Sequence, residues 1–153
     1  MLKIQNLTKI YDGGVLALDN VSFEVPEGQF LAIIGLSGSG KSTLLRCINR
    51  LIEPTEGTIL WNGKDITKAS DDEMRHIRRK IGMVFQHFNL VHRSSVLTNV
   101  LAGRLGYVNP AMSILNRFPQ SDIDNAIKQL DRVGIADKAY SRADELSGGQ
   151  QQR

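Results

Sequence analysis

The sequence predicts an α/β fold with an antiparallel β part at its N-terminus and a helical part behind it. Three observations predict this. Two strand-like segments flank a glycine turn near the start. A short apolar run without alternation leads directly into glycines and then a helical stretch. No convincing strand follows residue 86. The boundary therefore falls there, with 1–86 as the α/β core and 87–153 as a helical subdomain of the same single domain.

The elements can be justified in order. Residues 2–11 (LKIQNLTKIY) contain strand alternation, Asp12-Gly13-Gly14 is a turn signal, and 15–25 (VLALDNVSFEV) resumes as a strand, which together make a hairpin. Pro26-Glu27-Gly28 is a second turn. The run Phe30-Leu31-Ala32-Ile33-Ile34 has no polar alternation, as in a strand of a parallel sheet buried on both faces. A helix is expected over 41–52, stopped by Pro54, and a strand over Thr58-Ile59-Leu60-Trp61. Ser70 with Glu73 forms a capping-box start for a helix to about Lys80, followed by a second buried strand, Ile81-Gly82-Met83-Val84-Phe85.

Beyond residue 86 a helix is expected over 95–105, and a loop or loosely helical insert over 106–120, which carries Pro110 and Pro119. Ser121 is expected to cap an amphipathic helix whose apolar face is Ile123, Ala126, Ile127, Leu130 and Val133, with Gly134 as its stop.

A chain of 153 residues supports one domain with a core and is too short for two of ordinary size. Hydrophobic residues at 41% and charged residues at 23% are ordinary for a soluble globular protein. No apolar run is long enough to cross a bilayer, and the first residues carry no secretory pattern. Any membrane role must come through a partner. The single cysteine, Cys47, excludes an internal disulfide, fits a reducing cytoplasm, and falls in the apolar pattern of the 41–52 helix as a packed thiol. The net charge is only +3, so the cluster Arg75, Arg78, Arg79, Lys80, beside Asp71, Asp72 and Glu73, reads as a solvated helix face and not as a nucleic-acid patch. His76, His87 and His92 lack metal-ligand spacing.

The chemistry lies in two motifs. Gly35-Leu36-Ser37-Gly38-Ser39-Gly40-Lys41-Ser42-Thr43 fits the phosphate-binding P-loop. Gly35, Gly38 and Gly40 let the backbone turn its amides inward toward phosphate oxygens, and the helix that follows aims its positive end at the same place. Lys41 supplies a point charge for the β- and γ-phosphates, and Ser42 offers a hydroxyl to Mg²⁺. Alone, this motif indicates nucleoside triphosphate binding and leaves the kind of NTPase open.

The second motif is Leu146-Ser147-Gly148-Gly149-Gln150-Gln151-Gln152-Arg153. Paired with the upstream P-loop, it resembles the signature sequence of the ATP-binding-cassette (ABC) ATPases, and the resemblance extends from Tyr11 to Arg153. It implies a P-loop NTPase core of the ABC type, with ATP and Mg²⁺ as cofactors. It implies that Tyr11 stacks on adenine. It implies that Gln86, after Val84-Phe85, contacts Mg²⁺ or the attacking water and senses a transmembrane partner. Ser147, Gly148, Gly149 and Gln150 would act on ATP held by the P-loop of a second copy, in a head-to-tail dimer.

The partners implied are transmembrane permease subunits and, indirectly, a solute-binding protein, at the cytoplasmic face of the cell membrane, with no nucleic acid. The family places a strand ending in Asp and Glu after the signature helix. The chain is therefore expected to be incomplete at its C-terminus, and inactive in hydrolysis and poorly stable by itself.

A finer resemblance lies in 88–100 (FNLVHRSSVLTNV), Gly103-Arg104-Leu105-Gly106, Asp137-Lys138-Ala139-Tyr140 and Arg142-Ala143-Asp144, which look like the phosphonate importer ATPases. Importers of polar amino acids or methionine share much of this framework. A soluble ABC protein of DNA repair or translation would carry large insertions or tandem cassettes, and neither is present. A non-hydrolysing nucleotide-binding fragment is the remaining alternative.

Overall fold

The structure, a computed structural model, describes residues 1–85, 89–108 and 117–153. The chain divides into two compact units, Met1–Ile81 and Gly82–Arg153.

The first unit is built on a four-stranded antiparallel sheet in the order β2-β1-β3-β4. The strands are β1 (Leu2–Tyr11), β2 (Val15–Val25), β3 (Glu56–Trp61) and the short β4 (Lys64–Asp65). The hairpin expected at the start is present, with Leu2 opposite Val25 and Tyr11 opposite Val15. Its ladder is irregular near the middle, where Asn6 and Asn20 both take left-handed backbone (φ 50° and 48°). Asparagine tolerates that conformation because its short amide bonds locally. Here Asn6 Nδ2 donates to Asn20 Oδ1 at 2.8 Å, and Asn6 N donates to Ser22 Oγ at 2.8 Å. β3 closes against the same place through Gly57 (φ 97°), where a Cβ would lie 2.5 Å from the Asn6 carbonyl oxygen. Only glycine fits this approach.

One face of the sheet is covered by helices α1 (Lys41–Ile48) and α2 (Asp71–Arg78). Ile4 and Leu7 of β1, Leu18 of β2 and Ile59 of β3 pack with Leu44 and Cys47 of α1 and Met74 of α2. Burial pushes the Cys47 thiol up from its ordinary pKa, which suits the packed role expected of it. α2 begins with the expected capping box. Glu73 N donates to Ser70 Oγ, and Ser70 N donates to the Glu73 carboxylate at 2.9 Å.

Four elements differ from expectation. Residues 30–34 and 81–85 form no strand, and Phe30 and Val84 are 91% and 98% exposed. A strand apolar on both faces needs neighbours on its edges and cover above and below. Among the described residues no strand pairs with either run, so their backbone groups have no ladder to join. The helix expected over 41–52 stops at Ile48, well before Pro54, because Arg50 turns left-handed (φ 51°). Ser121 is not the cap of the amphipathic helix. Pro119 is the N-cap residue, its carbonyl accepting from Asp122 N and Ile123 N, and Ser121 lies inside the first turn.

The second unit is helical. It contains α3 (Val96–Ala102), α4 (Gln120–Arg132) and α5 (Gly148–Gln152), with single turns at Ala136–Lys138 and Ala143–Glu145. Val96, Leu97 and Leu101 pack with Ala126 and Leu130 of α4, and with Ile135, Ala139 and Leu146. Val133, expected on the apolar face, is the C-cap residue of α4 and is exposed, while Gly134 (φ 70°) follows as the stop. Asp122 is buried in α4 and pairs with Arg104 at 2.9 Å, an ion pair that periodicity does not reveal. Among the described residues no helix is long and apolar enough to cross a membrane.

Candidate functional site

The loop 35–40 carries the chain from the open run 30–34 into α1. Gly40 is the N-cap residue and is left-handed (φ 84°), with no side-chain cap. A Cβ at this position would lie 2.3 Å from the Ala17 carbonyl oxygen on β2. The start of α1 is thus seated directly on the sheet, and no side chain intercepts its first amides. Its first turn carries no acidic residue. A helix start of this kind presents N–H groups and the positive end of its dipole to an anion.

The Lys41 ammonium lies within the curve of the loop, donating to the Gly35 carbonyl at 2.9 Å and the Leu36 carbonyl at 2.6 Å. It also donates to Ser39 Oγ at 3.3 Å. Ser37 and Gly38 form the turn between these groups, with Ser39 N donating to the Leu36 carbonyl at 3.2 Å. Ser42 is exposed in the first turn of α1, and Thr43 follows it.

The structure brings Tyr11 to the same place. At the end of β1 its hydroxyl lies 3.2 Å from Thr43 Oγ1, and its ring is 37% exposed. The Lys9 ammonium sits 5.3 Å from the ring centroid. Lys9 was not singled out in the sequence. The signal for it was the two-residue period of a strand, which puts positions 9 and 11 on one face.

The signature residues lie in the other compact unit. Ser147 is the N-cap residue of α5, its Oγ accepting from Gln150 N at 3.4 Å while its own N–H donates to Gln150 Oε1 at 3.0 Å. Gly148 and Gly149 form the first turn, where an added Cβ would meet nothing. Gln151 anchors the helix by donating to the Ala143 and Leu146 carbonyls at 3.1 and 3.2 Å.

Upstream, residues 92–97 and 139–144 exchange backbone hydrogen bonds, from Ala143 N to Ser94 O and from Val96 N to Ser141 O, each 3.0 Å. Arg142 forms an ion pair with Asp144, which holds the Asp144 carboxyl below its ordinary pKa. Gln86 lies outside the described residues.

The ABC transporter family profile matches residues 18–153. Over all 153 residues the chain is 52% identical to the phosphonates import ATP-binding protein PhnC 1 of Halalkalibacterium halodurans. It is 57% identical to PhnC 2 of a Synechococcus species. It spans 60% and 57% of the length of those two proteins.

Among solved structures, the dimeric ATP-binding cassette MJ0796, in a post-hydrolysis state bound to ADP and Pi, superposes with a TM-score of 0.83 at 38% identity. That superposition covers 99% of this chain and 66% of the other. The ADP conformation of the cassette MJ1267 gives 0.77 at 32% identity, over 99% and 60%. A phosphate-loop geometry built on an antiparallel β part, a signature helix on a helical unit, and a family match over most of the sequence agree: the chain belongs to the ABC transporter family.

Proposed function

We propose that this chain is the ATP-binding subunit of an ABC importer whose solute is a phosphonate. The observation that carries the solute is the identity of 52–57%, over the whole chain, to phosphonates import ATP-binding proteins. The observation that carries nucleotide binding is the uncapped start of α1 with the Lys41 ammonium inside its loop.

The residues fit a triphosphate with its metal. Gly40 leaves the first amides of α1 open, Lys41 supplies the charge, and the Ser42 hydroxyl is the oxygen donor that a hard cation such as Mg²⁺ takes. Bound MgATP supplies the phosphoanhydride whose cleavage powers transport. Thr43 and Tyr11 set the lateral limit of the site, with Tyr11 as the ring for the base. Gln86 is assigned to the metal and the attacking water by family resemblance alone.

Ser147, Gly148, Gly149 and Gln150 are assigned to the nucleotide of a second copy. The dimeric form of MJ0796 supports a two-copy arrangement for this chain as well. Permease subunits, a solute-binding protein and a place at the cytoplasmic face of the membrane complete the reading.

The solute is tested by deleting the gene and growing cells on a phosphonate as sole phosphorus source. Failure to grow is the expected result. Normal growth with a defect in amino-acid or methionine uptake would move the chain to the neighbouring importers.

A further inference from the structure

Helix α1 has eight residues, and an isolated helix of that length does not hold itself. Only Leu44 and Cys47 along it are buried. At its far end the buried Cys47 and the core-packed Ile48 are joined by polar ties from two arginines. Arg50, two residues past the end of α1, is left-handed (φ 51°), a conformation that strains a long side chain. Its own guanidinium holds the turn in place. Nη1 donates to the Ala69 and Ile66 carbonyls at 2.6 and 3.1 Å, and Nε and Nη2 grip the Glu53 carboxylate at 2.9–3.1 Å. The side chain is only 11% exposed.

Arg78, the last residue of α2, returns the connection. Its Nε donates to the Asn49 carbonyl at 3.0 Å, and its Nη2 donates to the Arg50 carbonyl at 2.6 Å. One arginine ties the end of α1 to the segment just before α2, and the other ties the end of α2 back to the end of α1. Arg78 also sets a cationic group on the carbonyls just past α1, where the helix dipole is negative. The opposite end of the same helix, about 12 Å away, carries Lys41, Ser42 and Thr43.

We propose that Arg50 and Arg78 are positioning residues for the phosphate loop. They fix the far end of α1, so that its first amides and Lys41 hold one geometry toward a triphosphate. This inference rests on the nucleotide-binding reading of that loop. The bonds of both guanidiniums go to Glu53, Ile66, Ala69, Asn49 and Arg50, at the end of α1 away from the loop. Their loss leaves the far end of a short helix to the packing of Cys47 and Ile48 alone, and misplacement of oriented donors by about 1 Å is costly for a bound group.

The test uses the intact gene product with MgATP as the titrant, in five forms: wild type, Lys41→Ala, Arg50→Gly, Arg78→Ala and Arg78→Lys. Arg50→Gly keeps the left-handed turn without strain while removing the guanidinium together with its buried stem. Arg50→Gly and Arg78→Ala are expected to raise the Kd for ATP about tenfold. They should raise KM for ATP while kcat at saturating ATP stays within about twofold, because no reacting group is lost. Arg78→Lys, which still donates to a carbonyl, should recover most of the affinity. A role in stability alone predicts a lower Tm with unchanged Kd, and that result overturns the proposal. If Arg78→Ala does not fold, Arg50→Gly and Arg78→Lys decide the matter by the same titration. If wild type binds ATP no better than Lys41→Ala, the nucleotide-binding reading itself fails. If Lys41→Ala loses binding and the arginine variants do not, only the positioning role fails.

Discussion

Helix α1 begins at a left-handed glycine with no side-chain cap, whereas α5 begins at Ser147 in extended geometry, closed by a reciprocal pair of bonds with Gln150. Both starts are glycine-bearing, and the sequence motifs assign both to nucleotide phosphates. They differ in who satisfies the first amides. At α1 no side chain caps them, and the Lys41 ammonium lies in the loop that leads to them. At α5 a serine and a glutamine supply internal partners, and no cation lies in the first turn. The comparison teaches that glycine content alone does not define a phosphate site. The cap residue and the nearby charge decide whether a helix start binds by itself or completes a site.

The largest expected effect breaks the α1 side of this comparison. Lys41→Ala removes the only cation in the loop, and ATP affinity should fall by on the order of 100-fold or more, since charge-assisted bonds to phosphate are lost. Calorimetric titration of the intact gene product checks this, and unchanged affinity would refute the assignment of the loop.

Gly40→Ala tests the seating of the same helix start. It places a methyl against the Ala17 carbonyl at positive φ. A cost of about 3 kcal/mol in denaturant unfolding is expected, together with weakened ATP binding. Leu7→Ala is the companion control. Leu7 is fully buried in the first unit and carries none of the groups assigned to the nucleotide, and its truncation should also cost about 3 kcal/mol. At a temperature where the protein stays folded, ATP affinity should survive Leu7→Ala and not Gly40→Ala.

Ser147→Ala sharpens the α5 side. Losing the cap should cost about 1 kcal/mol locally. Monomer ATP binding should be unchanged, while ATP-driven dimerisation, followed by light scattering, should weaken. Equal loss of monomer binding with Lys41→Ala would contradict a site shared between copies.

The smallest effect belongs to a third helix start, that of α2. Lys64 and Ser70 hold the Glu73 carboxyl at about 2, below its ordinary 4.5. A carboxyl depressed in the folded state stabilises above its unfolded pKa and loses that contribution as pH falls. The loss should run between about pH 4.5 and 2, be weak and salt-sensitive because the group is exposed, and vanish in Glu73→Gln. Thermal unfolding against pH at two salt concentrations measures it.

Local chemistry was legible in the sequence where a few neighbouring residues decide the outcome. The hairpin ran where the alternation and Asp12-Gly13-Gly14 put it, and the Ser70–Glu73 box opened α2. Ser147 capped a helix as its motif implied. What the sequence did not disclose depends on partners distant in the chain. Residues 30–34 and 81–85 have strand composition, but composition supplies no neighbouring strand. The early stop of α1 is set by Arg50, whose side chain reaches Ile66 and Ala69, so the nearer signal, Pro54, misled. Pro119 displaced Ser121 as the N-cap residue because the first amides of α4 bond the proline carbonyl. Arg78 read as part of a solvated basic face, yet its guanidinium is committed to two carbonyls that lie 28 and 29 residues away.

The paired left-handed asparagines of the hairpin have a consequence for how the sheet finds its alignment. Asn6 and Asn20 kink opposite one another, joined amide to amide, and the Ser22 and Thr8 hydroxyls take the N–H groups that the kinks turn out of the ladder. If either strand slid along the other, the two kinks would no longer face each other, and each would lose its partner. The β1–β2 pair therefore carries its own proofreading mark: misaligned hairpins break the bonds among four polar groups at once.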